Sequence, residues 1–144
     1  MPELNNQNFN HLKIHTQYSI CEGAIKIDNL KDFCKEKKIP CLGLSDTSNL
    51  CGALEFAENI SKVGTQPIIG TQIYFRFEDT TGLLPLIALN ENGYKRIIEL
   101  SSRSYLENDA LSDPHLDIKE LLVDTEGVSL LSGTIQGLFG KLFE

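Results

Sequence analysis

The sequence predicts an α/β fold made of alternating βα units. Three observations carry the prediction. Apolar runs of strand length alternate with segments whose apolar residues return every three or four positions, the period of a helix. Breakers such as Pro40, Gly64 and Thr80-Thr81-Gly82 fall between those segments. Polar clusters sit directly after apolar runs, where ligands collect in folds of this class.

In chain order, Met1 to Asn8 reads as a polar lead-in and residues 9–144 as one domain. Phe9 to Ile14 reads as a first strand. Ile27, Leu30, Phe33 and Cys34 recur at helical spacing, with Lys31, Lys35 and Lys38 toward solvent, and Pro40 stops that helix. Cys41 to Leu44 is a brief buried strand. Leu50, Leu54, Ala57 and Ile60 form the next apolar stripe, and Gly64 suits the position after a helix end. Pro67 to Phe75 is a third strand. The turn at Thr80-Thr81-Gly82 leads into a fourth, Leu83 to Leu89, close enough to make a hairpin. Asn92-Gly93 opens a helix with Tyr94, Ile97, Ile98 and Tyr105 on one face. Asp117 with Glu120 has capping-box spacing and starts a short helix through Leu122. Val128 to Leu131 is a fifth strand, and Ile135 to Phe143 one more short helix. A mainly parallel sheet is expected, with Asn108 to His115 as the most flexible loop. Five strands are too few for an eight-stranded parallel barrel, which takes about 200 residues or more. The sheet is therefore open, or the chain is a fragment.

The 144 residues are 41% apolar and carry a net charge of −7. That content supports a real core. It argues against tight DNA binding, which relies on Lys and Arg neutralising phosphates. No stretch approaches the ~20 apolar residues of a membrane span. The start lacks the basic and apolar regions of a signal peptide, so a cytoplasmic location is expected. Cys21, Cys34, Cys41 and Cys51 form no C-x-x-C pair. Reduced, buried thiols are expected rather than a zinc site or disulfides.

Side chains along a strand alternate faces, so His11, Lys13 and His15 share one face while Leu12 and Ile14 share the other. Placing three polar groups inward is costly unless they are paired or bind something. Asp46 and Thr47 follow the second strand, and Gln72 follows a third. These strand ends can converge on one pocket.

These residues also carry a resemblance. His11-Leu12-Lys13-Ile14-His15-Thr16-Gln17-Tyr18-Ser19 with Glu22-Gly23-Ala24 resembles H-L-x-V-H-S-x-Y-S-x-x-D-G-A. That is the opening of the polymerase-and-histidinol-phosphatase (PHP) domain of bacterial replicative DNA polymerase III alpha subunits. Leu44-Ser45-Asp46-Thr47-Ser48-Asn49-Leu50 with Gly52-Ala53-Leu54-Glu55-Phe56 resembles its L-T-D-H-G-N-L-x-G-A-x-E-F. Pro67-Ile68-Ile69-Gly70-Thr71-Gln72-Ile73-Tyr74 resembles P-I-I-G-x-E-x-Y, and Asn92-Gly93-Tyr94 and Leu131-Ser132-Gly133 match later landmarks. The resemblance implies a partial, distorted seven-stranded (βα) barrel. It also names metal-ligand positions: H-x-H on the first strand, the histidine of D-H-G, and the glutamate of G-x-E. Here these are Lys13 with His15, Thr47 beside a retained Asp46, and Gln72. Lysine offers no lone pair and its charge repels a divalent ion. Threonine and glutamine are neutral, weaker ligands. A degenerate site without metal is therefore expected, lined by His11, Lys13, His15 and Asp46, with Lys13 standing in for the metal and pairing with Asp46.

The resemblance implies a scaffold within a DNA-replicating polymerase chain. That parent would use Mg²⁺ held downstream, with no cofactor in this segment. The implied partners are the rest of the alpha chain and the proofreading exonuclease subunit, with little direct DNA binding. Exposed sheet edges make self-association an expectation. The alternative is a metal-dependent phosphoesterase or 3′–5′ exonuclease. Plainer readings stand beside these. His11 and His15 can be hydrogen-bonded interior residues, Asp46 a helix N-terminal residue, and Tyr18 and Ser19 shapers of the first loop. The lysines of the first helix can be a solvated face, and Gly70 and Gly93 serve backbone geometry.

Overall fold

The computed structural model describes residues 9–143, so the polar lead-in expected at residues 1–8 lies outside the described residues. Within them the chain is a mixed α/β fold. The elements in order are α1 (Ile27–Lys37), β1 (Cys41–Thr47), α2 (Ala53–Ser61), β2 (Gln66–Phe77), β3 (Thr80–Ala88), α3 (Glu91–Leu106), β4 (Leu116–Asp117), α4 (Ile118–Val123), β5 (Val128–Leu130) and α5 (Leu138–Leu142). Among the described residues no helix is long and apolar enough to cross a membrane.

The strands run in the order β1-β2-β3-β5, with β4 added to β2. β1 and β4 are parallel to β2, whereas β3 pairs antiparallel with both β2 and β5. The sheet is therefore mixed rather than mainly parallel. The cause is local. Glu78 and Asp79 make a two-residue turn, with Glu78 at φ 53°, and the chain returns at once beside the strand it left. Thr80-Thr81-Gly82, expected as the turn, already belongs to β3.

The expected first strand is not an element of its own. Residues 11–14 run parallel beside β1 on three hydrogen bonds. Gly43 N donates to His11 O at 2.7 Å, Ile14 N to Gly43 O at 3.1 Å, and Ser45 N to Ile14 O at 2.8 Å. Gly43 is what lets the segment approach, because a Cβ there would lie 2.6 Å from Leu12 Cα.

The helical stripes differ in phase from the sequence reading. In α1, Ile27, Leu30 and Cys34 are buried, but Phe33 is half exposed on the flank. In α2 the buried face is Ala53, Phe56 and Ile60, and Leu54 faces solvent. The offset arises because Leu50 precedes the helix, packing from its turn against both apolar clusters of the molecule. In α3 the buried face runs through Gly93, Ile97, Leu100 and Ser104, leaving Ile98 and Tyr105 outside. The helix is capped by Asn90, two residues before the expected start, whose Oδ1 accepts the Gly93 N–H at 2.9 Å.

Only half of the capping box at α4 forms. Asp117 Oδ1 accepts the Lys119 N–H at 2.9 Å, but Glu120 turns away to meet Arg103 Nη2 at 2.8 Å. Arg96, nearly buried, secures α4 from α3. Its guanidinium donates to the carbonyls of Glu120 at 2.5 Å and Asp124 at 3.3 Å, where a helix end leaves acceptors free. All four cysteines are free, but the expectation of buried thiols holds only for Cys34 and partly for Cys41. Cys21 and Cys51 are exposed.

Candidate functional site

The loop after residue 14 is held by one carboxylate. Asp46, near the end of β1, is fully buried. Its Oδ1 accepts the Thr16 N–H at 2.6 Å and the Ser19 hydroxyl at 2.7 Å, and its Oδ2 accepts the Thr16 hydroxyl at 2.7 Å. Ser19 Oγ in turn accepts the Thr47 N–H at 3.0 Å. Thr71 Oγ1, on the neighbouring strand, donates to the Asp46 carbonyl at 2.6 Å. The Tyr18 hydroxyl donates to Glu55 on α2 at 2.6 Å, and that hydrogen bond raises the Tyr18 phenol above its ordinary pKa.

This arrangement corrects two readings of Asp46. It is a strand residue and caps no helix; Gly52 is the N-cap of α2. Nor does it pair with Lys13. Among the described residues Lys13 makes no ion pair within 4.0 Å. Neutral hydroxyl and amide donors already surround the carboxylate, so no cation is needed.

The pocket lies beside the clamp, at the end of β1 and against the middle of β2, where Thr47 pairs with Gln72. It measures about 340 Å³ and is lined by Lys13, His15, Glu22 and Gln72, with Leu83 and the Gly133–Gly137 loop closing it. Gln72 Nε2 donates to Thr47 Oγ1 at 2.6 Å, and the Thr47 hydroxyl donates to Glu22 Oε2. His15 Nδ1 stands 3.9 Å from the same carboxylate oxygen. Of the residues singled out from sequence, Lys13, His15 and Gln72 share this pocket, and Thr47 joins them through its hydrogen bonds. His11 does not. It lines a separate hollow with Phe9 and the end of α1. Asp46 is not among the lining residues.

Sequence reasoning missed Thr16 and Ser19 as the partners of Asp46, and gave Glu22 no role. A signal existed for each. Hydroxyls one and four residues past His15 can reach a carboxylate at the next strand end, and Glu22 is the only acid between His11 and Lys26.

The donors present do not fit a catalytic metal cluster. Such a site takes several good ligands and an open position. Among the described residues, no group of three or more His, Cys, Asp or Glu is placed to hold a metal ion. His15 and Glu22 are the two conventional donors, and the lysine ammonium beside them repels a dication.

The family model described as "PHP domain" matches residues 11–144. The DNA polymerase III subunit alpha of Caulobacter vibrioides is 38% identical over 152 residues, covering 99% of this chain and 13% of that protein. The subunit of the same name from Rickettsia felis is 35% identical, covering 92% of this chain and 11% of that protein. The chain thus spans roughly an eighth of the length of these curated relatives. Among solved structures, an amidohydrolase from Chromobacterium violaceum with bound sulfate and no metal superimposes with a TM-score of 0.55 at 15% identity. It covers 67% of this chain and 33% of that one, a likeness of fold.

Proposed function

The chain belongs to the PHP domain family, and from that premise we propose that it serves as a non-catalytic scaffold at the start of a replicative DNA polymerase III alpha subunit. One observation carries the reading. Three positions where the family's metal-binding members hold ligands are Lys13, Thr47 and Gln72, and here Gln72 donates to Thr47, which donates to Glu22 instead. On this reading the parent chain extends DNA in a separate domain with Mg²⁺ held there, and this segment needs no cofactor. Its partners are the remainder of that chain and the proofreading exonuclease subunit, in the cytoplasm. The acidic balance of the segment suits protein contacts better than DNA. The open edge of β5, only three residues long, offers a place for self-association.

The test is hydrolysis. The full-length protein is offered a chromogenic phosphodiester and single-stranded 3′ ends with added Mn²⁺ or Zn²⁺. No hydrolysis above the metal-only control is expected, and His15→Ala changes nothing. Metal-dependent hydrolysis that disappears in His15→Ala would establish the alternative, a phosphoesterase or 3′–5′ exonuclease.

A further inference from the structure

We propose that the hollow at the start of β1 docks an acidic peptide segment, which seats one apolar side chain against Phe9 and Phe33 and brings its carboxylates to His11, Lys37 and Lys38. The hollow measures about 340 Å³, and Ile39 and Pro40 complete its lining. It opens at the opposite end of β1 from the pocket that holds Lys13 and His15, so it is a separate surface.

The first support is apolar surface left uncovered in a concave place. Phe9 is 69% exposed and Phe33 is 45% exposed, although Phe33 directly precedes the buried Cys34. The Phe9 ring meets the His11 ring edge-on, with centroids 4.7 Å apart, which holds both rings at the rim. Ile39 and Pro40 add an apolar wall. A concave apolar surface with a few polar groups around it suits an anchoring side chain.

The second support is charge complementarity. The chain carries a net −7, yet among the described residues no Asp or Glu lines this hollow, while two lysines and a histidine do. Helix α1 keeps its charges apart. Phe33 and Lys37 share one row at i, i+4, whereas Asp28, Asp32 and Glu36 make another. Lys31 and Lys35 lie on the far flank and remain a solvated face. Lys37 reaches Glu36 at 2.7 Å, but both are exposed, and such a pair is readily given up. Lys38 makes no ion pair within 4.0 Å among the described residues. It ends α1 in the left-handed conformation, φ 52° and ψ 47°, and its backbone N–H makes the cap by donating to Cys34 O. Glycine suits that position best, so the lysine side chain adds nothing to the cap and is available to the hollow. Lysines near a helix C-terminus also suit its dipole, but the dipole does not call for two phenylalanines beside them. A nucleic-acid strand fits less well. It needs cations in series along successive phosphates, and the row beside this cluster is acidic. A short acidic segment brings its carboxylates to one spot.

The experiment is fluorescence anisotropy with the full-length protein. The probe is a labelled decapeptide of glutamate, aspartate and serine with a central phenylalanine–leucine pair. Its controls carry lysine for every acid, or serine for the apolar pair; a labelled oligothymidine of equal charge is the nucleic-acid arm. Saturable binding of the probe is expected, with a Kd on the order of 10–100 µM, and at least about tenfold weaker binding of all three controls. Phe33→Ser and Lys37→Ser/Lys38→Gly are each expected to weaken probe binding at least about tenfold. All three side chains are exposed, and glycine at position 38 keeps the cap, so the double variant should hold its melting temperature and its lost binding is not unfolding. No saturation by wild type below about 1 mM overturns the proposal, as do equal binding of either control peptide, tighter binding of the oligothymidine, or a double variant that binds like wild type. Hydrolysis by wild type would remove the scaffold reading and leave this surface untouched.

Discussion

Asp46→Ala is expected to destabilise the fold by about 3–5 kcal/mol, the scale for breaking a buried charged hydrogen-bond network. The carboxylate is fully buried and accepts three hydrogen bonds of 2.6 to 2.7 Å. Alanine leaves the Thr16 amide, the Thr16 hydroxyl and the Ser19 hydroxyl without their acceptor, in residues that are themselves fully buried. Asp46→Asn keeps the size and one acceptor but points an NH₂ at donors, and roughly half the loss is expected. The loss reaches the pocket as well as the core, because Thr16 and Ser19 fix the loop that carries Glu22 beside His15. Thermal unfolding measures it. A drop in Tm of about 10 °C or more is expected for Asp46→Ala. A variant within about 1 kcal/mol of wild type would mean that the loop is held by something other than this carboxylate.

Gly93→Ala sets two effects against each other. Inside a helix, alanine is favoured over glycine by about 1 kcal/mol. At Gly93, however, the new Cβ would fall onto the carbonyl of Gly127. That is backbone, which cannot rotate away. The Gly127 carbonyl also accepts the Leu89 N–H at 2.8 Å, so moving it breaks the joint between β3 and the turn before β5. Overpacking of this kind costs about 3 kcal/mol, and the clash wins. Chemical denaturation should show Gly93→Ala destabilised by roughly 2 kcal/mol net, the difference of those two terms. A stabilised variant would show that α3 shifts freely away from Gly127.

How much was legible depends on whether a feature is local. The β2–β3 hairpin was readable, because two apolar runs separated by a few polar residues leave the chain little choice. The α/β class followed from alternation alone. The phase of α2 was not readable. Leu50 is apolar and correctly spaced but sits in the turn before the helix, and only tertiary packing tells it from Leu54. The first segment looked like a strand by composition, yet three hydrogen bonds to β1 are all that pair it. At the site, parity put Lys13 and His15 on one face, and the structure has both lining one pocket. The same parity argument failed for His11, because the face of a strand says nothing about which end of it a cavity opens. The partners of Asp46 were the least legible. Hydroxyls are ambiguous in sequence, and which of them meets a distant carboxylate is set by how the loop folds back.

The proposed scaffold role requires a pocket held together by its own hydrogen bonds rather than by a metal ion. Its most direct test is the metal content of the protein purified without chelator, read together with thermal unfolding before and after EDTA. A group that binds only the folded state raises its stability, so a structural metal would show in both. No stoichiometric zinc, manganese or iron assignable to the pocket is expected, and a Tm unchanged by EDTA to within about 1 °C. An equivalent of bound metal that is lost in His15→Ala, and whose removal lowers Tm by several degrees, would contradict it.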